Sequence, residues 1–324
     1  MSSRFVLLML AALGSPLVMA FAPEAGAAIE PEAAPESVPS ADIEQKPRGF
    51  RPVPREQRAH VAFDSPNGMI FFKVKVNGRE VDAMLDTGAS RSYLDIGFAR
   101  SEGLHIDDKQ SKVRTAKGEL PLWPVSGVTV LIPGQFEVDF PSLGGIDMAA
   151  VAPTTGRNLK FVLGMDFLRN LALIVDPGKS RFSFAPTGQF KPSDSVRIDL
   201  LEGKPRFEVQ VGNEKAVVLI DTGSNGHLKL PPEIWTRVIP ADTPTGTAIS
   251  AGAEGKPHAQ ETVVLRDVQF GILHLNDVRT AKTASSTPGI GAVGMGILGK
   301  FRFALDIRAG AFWLAPLPPP SPAN

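Results

Sequence analysis

Cysteine is missing altogether from this 324-residue chain. That excludes disulfides, a thiol nucleophile and thiolate metal sites. Net charge is missing too, since 34 basic residues balance 34 acidic ones. There is accordingly no electrostatic case for nucleic acid or an anionic membrane surface as partner. Long apolar runs are confined to Phe5–Leu13, too short for a membrane span. The five histidines, His60, His105, His227, His258 and His274, show no metal-ligand spacing, so neither metal nor cofactor is expected. No P-loop and no Ser-His-Asp pattern occurs. Gly289-Ile290-Gly291-Ala292-Val293-Gly294 fits G-x-G-x-x-G but follows a Ser/Thr/Pro loop, and the sequence reads a strand after it where a nucleotide site needs a helix.

What is abundant is turn chemistry. Gly 31 and Pro 29, beside a single tyrosine, fit a turn-rich β protein better than a helical bundle. Residues 1–20 carry Arg4, an apolar run and the small-residue stretch Val18-Met19-Ala20, the pattern of a secretory signal peptide. An exported protein, periplasmic or secreted and without stable membrane insertion once the signal is cleaved, is the expectation. Residues 21–59 shift to Ala, Pro and Glu and then to Arg and Pro. Such a segment has too little apolar area to offset its ordering entropy, so it reads as a disordered linker, with a propeptide as the alternative. Two similar lobes follow, 60–189 and 190–316, then a disordered tail, 317–324.

The lobes are defined by a stretch that occurs twice. Val81-Asp82-Ala83-Met84-Leu85-Asp86-Thr87-Gly88 and Val217-Val218-Leu219-Ile220-Asp221-Thr222-Gly223 are apolar strands ending in Asp-Thr-Gly, 135 residues apart. Each follows a hairpin signal, Asn77-Gly78 in one case and Gly212-Asn213 in the other. Each also precedes an apolar run closed by glycine, and counting 78 residues onward pairs Gly164 with Gly299. Short helices are read at 92–104 and at Pro232–Arg237, and hairpins turn at Lys117-Gly118 and near Glu254-Gly255. The order of elements is thus an internal repeat, and each copy offers one carboxylate to a shared site.

Two aspartates on homologous strand ends suit a dyad sharing one proton. Carboxylates about 3 Å apart cannot both ionise, so one pKa rises and the other falls. The ionised member takes a proton from water while the protonated one donates to a carbonyl oxygen. Thr87 and Thr222 carry hydroxyls suited to bracing the two loops, and Gly88 and Gly223 let backbone amides approach the carboxylates. A lone Asp-Thr-Gly would be an ordinary turn. Two at matched places carry the argument.

These residues, Leu85-Asp86-Thr87-Gly88-Ala89-Ser90 with Val162-Leu163-Gly164, and Ile220-Asp221-Thr222-Gly223-Ser224 with Ile297-Leu298-Gly299, resemble the aspartic protease clan of pepsin-like enzymes and retropepsins. Leu163-Gly164-Met165-Asp166-Phe167-Leu168 resembles bacterial retropepsin-like domains. The resemblance implies an all-β fold, two β-barrel-like lobes with a cleft between them, and endopeptidase action on an extended polypeptide. Asp86 and Asp221 would be the catalytic pair, supported by Thr87, Gly88, Ala89, Thr222, Gly223 and Ser224. It implies two retropepsin-like units in tandem, a monomer with pseudo-twofold symmetry. The flap tyrosine of pepsin-like enzymes has no counterpart, because the one tyrosine, Tyr93, lies outside the flap hairpin, where Trp123 is the nearest aromatic. Lys117, Gly118, Glu254 and Gly255 are the candidate flap tips. Ser224 is expected to donate to the dyad, a bond that Ala89 cannot make. The alternatives are a catalytically silent peptide-binding scaffold on the same fold, and a regulatory protease with one partner substrate.

Overall fold

A computed structural model describes residues 48–115, 118–149, 155–189, 196–201, 203–251, 257–283 and 289–317. The expected signal peptide, the linker up to residue 47, the flap-tip residues Lys117, Glu254 and Gly255, and residues 318–324 of the tail lie outside the described residues.

The first lobe is built on the hairpin of strands Phe71–Val76 and Arg79–Leu85. Asn77 and Gly78 make its turn with φ of 46° and 84°, the left-handed conformations that a tight hairpin turn requires. One face of the first strand is buried at alternate positions, as Val74 and Val76 enter the core while Lys73 and Lys75 meet solvent. Strand Arg79–Leu85 then runs parallel to Leu159–Leu163, which also pairs antiparallel with Tyr93–Asp95. The residues after Leu85 are therefore looped between two strands of one sheet. That arrangement fixes where Asp86 can point.

The second lobe repeats this scheme. Lys204–Val211 and Glu214–Asp221 form the hairpin, and Ile290–Gly294 runs parallel to the latter and antiparallel to Leu228–Leu230. Helices Ile96–Ser101 and Pro232–Val238 occupy matching places. The helix expected over 92–104 is shorter, because Tyr93–Asp95 pairs with Gly144–Ile146 and continues the sheet. Asp95 then caps the helix, its carboxylate accepting from the Phe98 amide at 2.8 Å.

A third sheet joins the lobes. Leu171–Asp176 pairs antiparallel with Phe301–Asp306, and Arg181–Pro186 and Ala311–Pro316 flank them. Leu173, Val175, Phe182, Phe303 and Phe312 are sealed here within one core that is continuous between the lobes. Each such side chain contributes about 1.5–3 kcal/mol relative to exposure. The fold is all-β, as expected.

One boundary needs correction. Arg48–Pro52, placed by composition in the disordered stretch 21–59, is a strand paired antiparallel with Phe136–Ile146. Arg51 grips Glu137 at 2.7 Å and Asp139 at 2.6 Å, and the Phe50 ring lies 4.5 Å from that of Phe136. The segment's own composition is poor in apolar residues. Its order comes from partners far along the chain.

Candidate active site

Asp86 directly follows strand Arg79–Leu85, and Asp221 ends strand Glu214–Asp221. The two loops they open are locked together by four hydrogen bonds. The Thr87 amide donates to Thr222 Oγ1 at 3.0 Å, and the Thr222 amide donates to Thr87 Oγ1 at 3.0 Å. The Thr87 hydroxyl donates to the Ile220 carbonyl at 2.6 Å, and the Thr222 hydroxyl to the Leu85 carbonyl at 2.9 Å. Both threonines are fully buried, so every bond is shielded from water. Loops from opposite lobes of one chain are thereby held face to face.

The glycines explain how close the carboxylates come. A Cβ on Gly88 would lie 2.5 Å from Asp221 Oδ1 and 3.1 Å from Asp86 Oδ1. One on Gly223 would lie 2.5 Å and 2.6 Å from the Asp86 oxygens. Each carboxylate thus rests on the glycine of the opposite loop, in space that any side chain would fill. The Asp86 carboxylate accepts from the Gly88 amide at 2.7 Å and the Ala89 amide at 3.1 Å. Asp221 is hydrogen-bonded by the Gly223 amide.

Burial of the pair raises both pKa values above the usual carboxylate range. For Asp86 the negative charge of Asp221 adds to burial, and together they outweigh the two amides, pushing it up to about 7. For Asp221 the charges of Lys229 and Lys204 oppose the rise. Ionising one aspartate therefore disfavours ionising the other. They titrate as one unit rather than as separate acids.

The neighbours divide less simply than the sequence suggests. Ala89 packs against an apolar cluster containing Tyr93, Met84 and Phe71. The Ser224 hydroxyl accepts from the Gly226 amide at 3.2 Å and is not among the groups bonded to the Asp221 carboxylate, which corrects the expectation of a donor there. Gly118 sits at the start of strand Gly118–Ile132, exposed and with open space around it. Trp123 is half-buried and carries the Arg100 guanidinium 5.8 Å from its ring centre.

The glycine spacing also needs correction. Gly164 precedes the single-turn helix Met165–Leu168, whose first amide donates to the Ala89 carbonyl at 2.9 Å. Its counterpart is Gly294, which precedes Met295–Leu298, where the Met295 amide donates to the Ser224 carbonyl at 2.8 Å. Gly299 merely ends that helix. The G-x-G-x-x-G run is therefore the repeat's own strand leading into a one-turn helix, contrary to the strand read after it. A Cβ on Gly291 would collide with the Lys229 carbonyl.

Within these turns the lobes differ. Asp166 accepts from the Ser92 amide at 2.8 Å and the Ser92 hydroxyl at 2.7 Å, and burial raises its pKa. Gly296 stands at the matching place, and a Cβ there would lie 2.6 Å from His227 Nδ1. The half-buried His227 ring fills that space, and burial, followed by the charges of Arg279 and Lys300, lowers its pKa. Sequence reasoning missed Lys204 and Lys229 as neighbours of the dyad. Only the position of Lys229, one residue further from its aspartate than Tyr93 is from Asp86, hinted at it. Among the described residues no group of three His, Asp or Glu side chains is placed to hold a metal ion.

Residues 72–170, which contain Asp86 and its loop, match the family model of gag-polyprotein putative aspartyl proteases. Over that segment the chain is similar to the aspartic protease clan. No curated protein matches it. The matched segment ends at Asn170 and does not include the second loop with Asp221.

Proposed function

We propose that the protein is an aspartic endopeptidase in which Asp86 and Asp221 activate water against a peptide bond. The observation that carries this reading is the reciprocal threonine lattice, which brings two carboxylates from one chain onto each other's glycines. In the first step Asp221, ionised, accepts a proton from water lying between the carboxylates. Asp86, protonated, donates to the carbonyl oxygen as the tetrahedral centre forms. The proton taken by Asp221 then passes to the leaving nitrogen, the Asp86 carboxylate takes back a proton from one hydroxyl of the tetrahedral centre, and the C–N bond breaks as the carbonyl re-forms, leaving the pair with its one shared proton. The substrate is an extended polypeptide, and one chain suffices for the dyad. The apolar N-terminal run supports export to the periplasm or the exterior, where such a protease meets unfolded substrates.

The test is digestion of an unstructured protein from acidic to neutral pH by the wild type and by Asp86→Asn and Asp221→Asn. Cleavage by the wild type and none by either folded variant is the expected result. Cleavage that survives in either variant overturns the dyad. A wild type that binds peptides and never cuts them favours the silent scaffold.

A further inference from the structure

The two lobes present different chemistry to the dyad. In the first lobe, Phe71 pairs with Met84, Met84 with Val162, and Val162 with Tyr93 across adjacent strands. In the second, Arg206 pairs with Leu219, Leu219 with Ala292, and Ala292 with Lys229. These are matching positions on the matching face of each sheet. Two positions before Phe71 stands Met69, and two before Arg206 stands Lys204. An all-apolar row in one lobe is therefore a row with three cations in the other.

The environments differ accordingly. Met69, Phe71, Met84, Tyr93 and Val162 are buried in one apolar cluster that reaches the dyad loop at Ala89 and the flap hairpin at Val113. Lys204, Arg206 and Lys229 are only half-buried. Lys229 folds back along the second dyad loop, its Cε 3.2 Å and its Nζ 3.8 Å from the Cβ position of Gly226. Lys204 begins a strand beside Gly203, whose Cβ position lies 3.9 Å from Ser90 Cβ on the first dyad loop. Arg206 stands across from Asp199 in its hairpin. Neither Lys204 nor Lys229 forms an ion pair among the described residues.

Charge bookkeeping then points to a ligand. A dyad sharing one proton carries one negative charge, and two lysines act on it. One positive charge is left over on the second lobe's side of the cleft. We propose that the cleft is chemically two-sided, the first lobe taking an apolar residue of the substrate and Lys204 with Lys229 forming a subsite for an acidic side chain. This rests on the reading of the cleft as a protease site. A carboxylate entering there forms charge-assisted hydrogen bonds that strengthen as the peptide excludes water.

The test uses a pair of peptides differing only in Glu against Gln beside the apolar residue, with amidated and free C termini. Binding is measured by fluorescence anisotropy on the Asp86→Asn protein, and cleavage on the wild type. The Glu peptide should bind about tenfold more tightly than the Gln peptide. That ratio should fall close to one in Lys204→Met/Lys229→Met made in the same background, with Gln-peptide binding showing that the cleft is intact. Equal binding of both peptides overturns the subsite, as does a ratio that survives loss of both lysines. A preference that follows the free C terminus and disappears on amidation overturns the side-chain assignment. If the wild type cuts neither peptide, the protease reading fails while the binding ratio still judges the subsite.

Discussion

Thr87→Val removes one hydroxyl and keeps nearly the same shape, so it isolates what the interlobe lattice contributes. The hydroxyl donates to the Ile220 carbonyl and accepts from the Thr222 amide. Two hydrogen bonds at about 1 kcal/mol each are lost. The Thr222 amide, at a residue with no exposed surface, is left without its partner, which adds about 1–3 kcal/mol. The sum is about 3–5 kcal/mol, a large share of the ~5–15 kcal/mol that domains generally possess. With a urea slope of ~3 kcal/mol per molar, the unfolding midpoint should fall by more than about 1 M. Thr87→Ser keeps the hydroxyl and should retain most of the stability. Thr222→Val should behave like Thr87→Val, although its hydroxyl makes two different bonds. The double variant should cost less than the two singles together, because loops freed by the first change already admit water to the second. Peptidase activity should fall far more than stability in all three valine variants, since the carboxylates lose their fixed separation. A midpoint change under ~0.3 M for Thr87→Val, about 1 kcal/mol at this slope, would refute the claim that the lattice holds the lobes.

Four further predictions rest on the same geometry. Asp86, held near 7 against an ordinary value of 3.8, must keep its proton to act as the acid, so the rate should fall as pH rises through about 7 in a pH–rate profile. Because its folded pKa is raised, the stability it contributes is complete below pH 3.8 and lost through about 7; Asp86→Asn should therefore gain Tm on the wild type at pH 8 and none at pH 3.5. Gly223→Ala places a methyl 2.5 Å from Asp86 Oδ1, so a folded variant should lose at least ~100-fold in kcat, a barrier change of about 2.7 kcal/mol, and near-wild-type turnover would show that the loops can part. Ala89→Ser should leave the acidic limb of the profile in place, since Ser224 at the matching place turns its hydroxyl to the Gly226 amide; a limb moved to lower pH would restore the donor role to this position.

Much of this was legible in the chain. Alternating Lys73-Val74-Lys75-Val76 before Asn77-Gly78 specifies a hairpin with one buried face, because side chains in a strand alternate strictly. The doubled Asp-Thr-Gly marks two strand ends, since an apolar run followed by two turn-forming residues has few other places in a β fold. Those are local properties, and the sequence by itself determined them. It determined less where a residue's partner is remote. Arg48–Pro52 looks disordered on its own composition and is ordered by Glu137, Asp139 and Phe136. Counting 78 residues misplaced the second lobe's glycine, because the two lobes differ in loop length and only the parallel pairing of Asp221 with Gly294 sets the register. Ser224 resembled a donor until the backbone curved its hydroxyl onto Gly226. Lys204 and Lys229 carry no motif, and a lysine in a strand is ordinarily a solvated side chain. Their proximity to the carboxylates exists only once the hairpin of the second lobe and the dyad loops are folded together. Tertiary structure decided those points, because electrostatic neighbours are set by distance in space, while a sequence pattern records only distance along the chain.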